Sequence, residues 1–134
     1  MTVPREDGSS DRLVIAAATA EQRAAVTMLW RQTGLTTSYN DPDTDFDRAR
    51  GKPGSEVLVG MVGDRVVASV MVGHDGHRGW LYYVAVAPEL QGRGYGTAMV
   101  AAAEGWLAER GVPKAQLLIR ASNTAVQAFY ERLA

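Results

Sequence analysis

The chain of 134 residues reads as a single mixed α/β domain, an antiparallel sheet extended by one parallel crossover. Three observations predict it. Short apolar or β-branched runs at 13–16, 56–62, 65–72, 80–87 and 115–120 have the length and composition of strands. Apolar residues recur at i, i+3, i+4 and i+7 over 99–106 and again over 126–133, the period of helices. The strand–helix–strand succession from 80 to 120 calls for a right-handed parallel crossover, whereas the hairpins before it are antiparallel. The predicted order is β-α-α-β-β-β-α-β-α.

Composition sets bounds on function. The length gives room for one domain with a real core. A net charge of −1 without clustered Lys and Arg argues against a nucleic-acid partner. No run of 18 apolar residues is present, so no membrane span is expected, and no signal peptide is visible, which makes the cytoplasm the default location. The chain has no cysteine, which excludes disulfides, thiolate metal sites and an acyl-cysteine intermediate. Two histidines, His74 and His77, with no H-E-x-x-H pattern make a zinc site improbable, so no metal is expected.

Taken in order, residues 1–10 are polar and aperiodic and read as a disordered tail, with the domain spanning 11–134. Leu13–Ala16 is a first strand. Thr19 and Gln22 fit a capping box, and the helix they start carries Ala25, Met28, Leu29 and Gln32 on one face until Gly34 ends it. Asn40-Asp41-Pro42 marks a turn, followed by a short helix from Thr44 or Asp45 to Arg50. Asp41, Asp43, Asp45 and Asp47 form either a solvated acidic helix start or a cluster that attracts a cationic amine or supplies a base.

Strands at Glu56–Val62 and Arg65–Val72 flank the tight turn Val62-Gly63-Asp64-Arg65. In the second, Val67, Ser69 and Met71 share one face and Val66, Ala68, Val70 and Val72 the other. His74 lies in the next hairpin loop, either as an exposed turn residue or, if it faces a cleft, as a base. The run 80–87 reads as a strand buried on both faces and stopped by Pro88. Met99, Ala102, Ala103 and Trp106 face the core from the next helix, closed by Gly111 and Pro113. A strand at 115–120 and a helix from Thr124 to Leu133, with Val126, Phe129, Tyr130 and Leu133 on its face, complete the chain.

Between the fourth strand and the third helix lies Gln91-Gly92-Arg93-Gly94-Tyr95-Gly96-Thr97. Alternating glycines let a ligand approach the main chain, and the first N–H groups of a helix have no internal partner. Together they make a pocket for phosphate, with Arg93 adding a charged contact. A plain surface turn is the other reading. The G-x-G-x-G spacing is neither a Walker A loop nor the Rossmann fingerprint.

Val84-Ala85-Val86-Ala87-Pro88 followed by Gln91–Thr97 resembles motif A, Gln/Arg-x-x-Gly-x-Gly/Ala, of the GCN5-related N-acetyltransferase (GNAT) family. The element order is also that family's, and the match is nearest a bacterial YpeA-type branch. There, segments similar to Asn40-Asp41-Pro42, Asp75–Gly79, Tyr82-Tyr83 and Phe129–Leu133 fall in the same order. The resemblance implies an acyl-CoA N-acyltransferase fold and acetyl-CoA as co-substrate. Gln91, Gly92, Arg93, Gly94, Tyr95, Gly96 and Thr97 would wrap its pyrophosphate. Val84, Ala85 and Val86 would hydrogen-bond its pantetheine arm, on a strand that splays from its neighbour. Asn123 would contact that arm or cap the last helix, and Tyr130 would protonate the departing thiolate.

The implied activity is direct transfer of an acetyl group to a primary amine of a peptide, protein or small molecule. An amine of reference pKa ~10.4 must lose a proton to attack, and a thiolate of pKa ~8.5 gains from a donor. Many members carry a glutamate on the strand matching Gln116–Arg120, and here there is none, so the base is unassigned. Glu89 falls near the cofactor loop but also reads as a surface acid; an aspartate of the 41–47 cluster or an ordered water are the candidates. The family usually continues with two more strands, so the domain is expected to be short at its C-terminus. A partner, such as a second copy, would then cover the open sheet edge. The alternative function is an acyl-CoA-binding sensor or remnant with weak catalysis.

Overall fold

The structure, a computed structural model, describes residues 12–36, 41–112 and 115–117. The expected tail, the last helix with Tyr130, Asn123, and the fifth strand beyond Leu117 lie outside the described residues. Among the described residues the sheet has five strands in the order β1-β2-β3-β4-β5: Leu13–Ala17, Ser55–Val62, Arg65–His74, Gly79–Val86 and Ala115–Leu117. The first four pair antiparallel and β5 pairs parallel to β4, as the crossover requires. The α-helices are α1 (Arg23–Gln32), α2 (Pro42–Ala49) and α3 (Tyr95–Glu109).

Local chemistry explains the helix ends. A 3-10 turn, Ala20–Gln22, leads into α1, and Gln22 reaches back so that its Oε1 accepts the Thr19 amide at 2.9 Å. At the other end the Leu35 amide donates to Trp30 O at 3.0 Å and the Gly34 amide to Arg31 O at 3.2 Å. Leu35 is buried against the core, which completes a Schellman stop. The end of α3 repeats the pattern, with Val112 donating to Leu107 O at 2.9 Å.

Two helix expectations need correction. The buried side of α1 is Val26, Thr27, Leu29 and Trp30, whereas Ala25, Met28 and Gln32 are exposed. The periodicity of Ala25, Met28, Leu29 and Gln32 is genuine, but Trp30 carries far more apolar area and turns the helix toward itself. Helix α2 begins at Pro42, two residues earlier than Thr44, because Asp41 caps it. Its carboxylate accepts the Asp43 amide at 3.1 Å and the Thr44 hydroxyl at 2.7 Å, and proline suits the first helical position.

Helix α3 covers one face of the sheet and α1 and α2 the other. A Cβ on Gly60 would meet Met99 of α3, and Gly60 pairs with Ala68. The next residue of β3, Ser69, takes a hydrogen bond from Trp30 of α1, and neighbouring strand residues point to opposite faces. Val67 to Val70 are therefore all buried, and the core runs through both layers. Among the described residues no helix is long and apolar enough to cross a membrane.

Strand β4 departs from the expected uniform run. Met71 pairs with Tyr82 and Ser69 with Ala85, so β4 carries one extra residue between these pairs. Tyr83 sits in this bulge with φ +53, a left-handed conformation unusual for a bulky side chain. Trp80, Tyr82, Tyr83 and Val86 are half-buried rather than buried.

Candidate functional site

Strand β4 delivers the chain to the glycine-rich turn. After Val86 a 3-10 turn, Pro88–Leu90, redirects it, and the Gln91 side chain donates from Nε2 to Val86 O at 3.1 Å. That bond ties the start of the turn to the end of the strand. Gly92 and Gly94 both adopt φ +86, where L side chains are strained. Beyond the glycine and its two chain neighbours, no heavy atom lies within 4 Å of the place a Cβ would occupy on either, so the turn is open beside both glycines.

Gly94 is the N-cap of α3. The first helical hydrogen bond there runs from Ala98 N to Gly94 O at 3.0 Å. The amides of Tyr95, Gly96 and Thr97 come before it, at the positive end of the helix. Arg93 and Thr97 are exposed, Tyr95 is half-buried, and Gly96 is buried. The sequence-predicted residues Val84, Ala85, Val86 and Gln91–Thr97 are thus brought together as one strand end, one turn and one helix start.

Other candidates are placed elsewhere. Glu89 pairs with Arg65, both side chains half-exposed, and this bond holds its carboxyl below the ordinary value. His74 packs its ring against Trp106 at 5.8 Å, and its Nδ1 accepts the Gly76 amide at 2.9 Å. Trp106 is eleven residues along α3 from Tyr95, about 16 Å at ~1.5 Å per residue. The histidine therefore stands at the far end of the helix from the glycine turn, and its Nε2 is buried rather than displayed.

The acidic cluster is largely committed to structure. Asp41 caps α2, Asp47 pairs with Arg23 at 2.9 Å, and Asp45 Oδ2 accepts the Tyr83 hydroxyl at 2.8 Å. The Thr44 hydroxyl, and then its amide, lower the pKa of Asp41. Sequence reasoning missed the group to which Asp45 belongs. Trp30, fully buried, donates from Nε1 to Ser69 Oγ at 2.8 Å and stacks on Tyr83 with ring centroids 4.2 Å apart. Its only sequence signal is the aromatic doublet Tyr82-Tyr83 in a strand that otherwise reads as uniformly apolar. Among the described residues no group of three His, Asp or Glu is placed to hold a metal ion.

Comparison with known proteins meets this geometry. The sequence profile of the Acetyltransferase (GNAT) family matches residues 20–134. A protein named acetyltransferase from Pectobacterium atrosepticum is 41% identical over 109 residues, which is 81% of this chain and 77% of that one. A similarly named protein from Yersinia enterocolitica is 40% identical over 108 residues, with the same coverage. Among solved structures, ribosomal-protein-alanine N-acetyltransferase from Brucella melitensis superposes with a TM-score of 0.74 at 17% identity, covering 91% of this chain and 90% of that one. AAC(6')-Iy in complex with the bisubstrate analogue CoA-S-monomethyl-acetylneamine superposes with a TM-score of 0.76 at 16% identity, covering 92% and 90%. The distant structures share the fold, and the profile match together with the close relatives shows that this chain belongs to the acetyltransferase (GNAT) family.

Proposed function

We propose that this chain transfers the acetyl group of acetyl-CoA directly to a primary amine of a peptide, protein or small molecule. The observation that carries this reading is the turn itself. Two left-handed glycines, open on the side a Cβ would fill, lead into the N-terminus of a 15-residue helix. A diphosphate fits such a cradle, since main-chain amides and the helix dipole favour an anion there. Membership of the family, and the coenzyme A analogue held by one structural neighbour, support the same ligand.

In this reading Gln91–Thr97 hold the pyrophosphate and Arg93 adds a charged contact from the exposed side. The backbone at Val84–Val86 takes the pantetheine arm, which Asn123 helps to place. Holding thioester and amine side by side replaces a collision with a local step. The amine, mostly protonated at neutral pH with a reference pKa of ~10.4, gives up one proton before attack. Asp41, Asp45 and Asp47 already hold protein groups, so Asp43 or an ordered water takes that proton. The nitrogen then bonds to the acetyl carbon as the carbon–sulfur bond breaks, and Tyr130 gives its phenolic proton to the thiolate. The second proton leaves the new amide nitrogen and, relayed through solvent, returns to the Tyr130 phenolate, so that the net products are the amide, the free thiol and one released proton. The reaction is proposed to take place in the cytoplasm.

Calorimetry with acetyl-CoA, then coenzyme A release across amines and N-terminal peptides, tests this. Binding followed by turnover on at least one amine is expected, and failure to bind acetyl-CoA would overturn it. A second reading, an acyl-CoA sensor, draws on the absence of any carboxylate in Gln116–Arg120. Tight binding with no release on any amine would select it.

A further inference from the structure

We propose that Tyr83 is a positioning residue for acetyl transfer, clamped so that it holds the bulge from which Val84–Val86 run toward the glycine turn. This inference rests on the acetyl-CoA reading of that turn. Restraints from three different elements act on Tyr83. Its ring stacks on Trp30 of α1, with planes 12° apart. Its hydroxyl donates to Asp45 of α2 at 2.8 Å. Its carbonyl oxygen faces the Ser69 hydroxyl of β3 at 3.4 Å, and Ser69 is itself fixed by the Trp30 indole N–H at 2.8 Å. Phe46 of α2 packs on the same indole, with ring centroids 6.4 Å apart.

A bulky residue keeps φ +53 only when its surroundings over-determine it, and strain of this kind gathers at functional positions. The physical consequence lies in the residues that follow. An inserted residue bends its strand and re-aims what comes next. What comes next is the stretch that ends at Val86 O, pinned by Gln91 at the mouth of the turn. The peptide groups of Val84–Val86 are therefore fixed at one end by the clamp on Tyr83 and at the other by Gln91. Rate responds steeply to small misplacement of groups that hold a reacting acyl arm. The bond to Asp45 also ties the acidic helix α2 to this strand.

The test uses Tyr83→Phe, Asp45→Ala and Asp45→Asn, read by kcat, acetyl-CoA affinity and amide exchange. Tyr83→Phe keeps the stack and loses the Asp45 bond; kcat should fall about tenfold or more with acetyl-CoA Kd within about threefold. Asp45→Ala should match it. Asp45→Asn, whose amide oxygen still accepts the phenol, should keep kcat within about threefold of the parent. With acetyl-CoA bound, the amides of Val84–Val86 should exchange faster in Tyr83→Phe than in the parent. Parental kcat and exchange in Tyr83→Phe would overturn the proposal. So would a loss of activity that only tracks a loss of folded protein. A parent that does not bind acetyl-CoA removes the functional reading and this inference with it, before any substitution is made. A parent that binds without turnover leaves the decision to the exchange comparison.

Discussion

Gly94 sits at φ +86 with open space beside it, in line with the first turn of α3. Gly94→Asp adds a side chain to a strained backbone and puts a carboxylate where the diphosphate would lie. Acetyl-CoA affinity should drop more than about tenfold by calorimetry, while the thermal midpoint falls only modestly, because the site is exposed. Tyr130→Phe asks a different question, whether the phenol is an acid. Turnover should fall about tenfold or more with acetyl-CoA binding unchanged, since general acids contribute at least that factor. Unchanged turnover would remove Tyr130 as the proton donor. Gly94 was legible as a candidate because its motif is contiguous and its spacing reflects main-chain geometry, whereas Tyr130 became one only through the resemblance of Phe129–Leu133 to the family's segment. Tyr83 was not legible, since nothing local to it announces Trp30, Ser69 or Asp45, which lie 53, 14 and 38 residues away by their numbers.

At the scale of elements, α2 shows how a short acidic stretch becomes a helix. Asp41 accepts the Asp43 amide and the Thr44 hydroxyl, and these bonds favour its ionised form. Its folded pKa lies below the ordinary 3.8, so the unfolded state takes up the proton first as pH falls. The stabilisation is thus complete above that value and is lost as pH drops through the lower folded pKa. Asp41→Ala should lower the urea midpoint at pH 7, and the gap to the parent should narrow on acidification below about pH 4. A gap that stays constant to pH 3 would contradict the assignment. The same bonds explain why the helix begins at Pro42. The sequence held the cap, but Asn40-Asp41-Pro42 is equally a turn signal, and only the completed helix distinguishes the two.

For the whole molecule, Trp30 is the point at which the layers meet. It is fully buried, touches α2 through Phe46, reaches β3 through Ser69 and stacks on β4 through Tyr83. Trp30→Ala should cost about 3–5 kcal/mol, measured by urea unfolding, because it opens a cavity and strips Ser69 of a buried donor. Trp30→Phe should recover part of that loss by filling the space without restoring the hydrogen bond. A loss below about 1 kcal/mol for the alanine variant would mean that the layers close over the gap.

The sequence by itself determined the first four strand runs and the start of the fifth, the two helix stops at Gly34 and Gly111, the antiparallel hairpins, the parallel crossover and the location of the glycine turn. The runs, stops and turns are set by residues close together in the chain, since period, caps and turn chemistry act over one or two turns of backbone, and the crossover follows from the order of the elements. The tertiary structure decided which side of α1 turned inward, how the carboxylates of α2 were spent, and where β4 broke its alternation. Those outcomes depend on side chains meeting across layers, where the largest buried ring and the strongest available hydrogen bond override a local pattern.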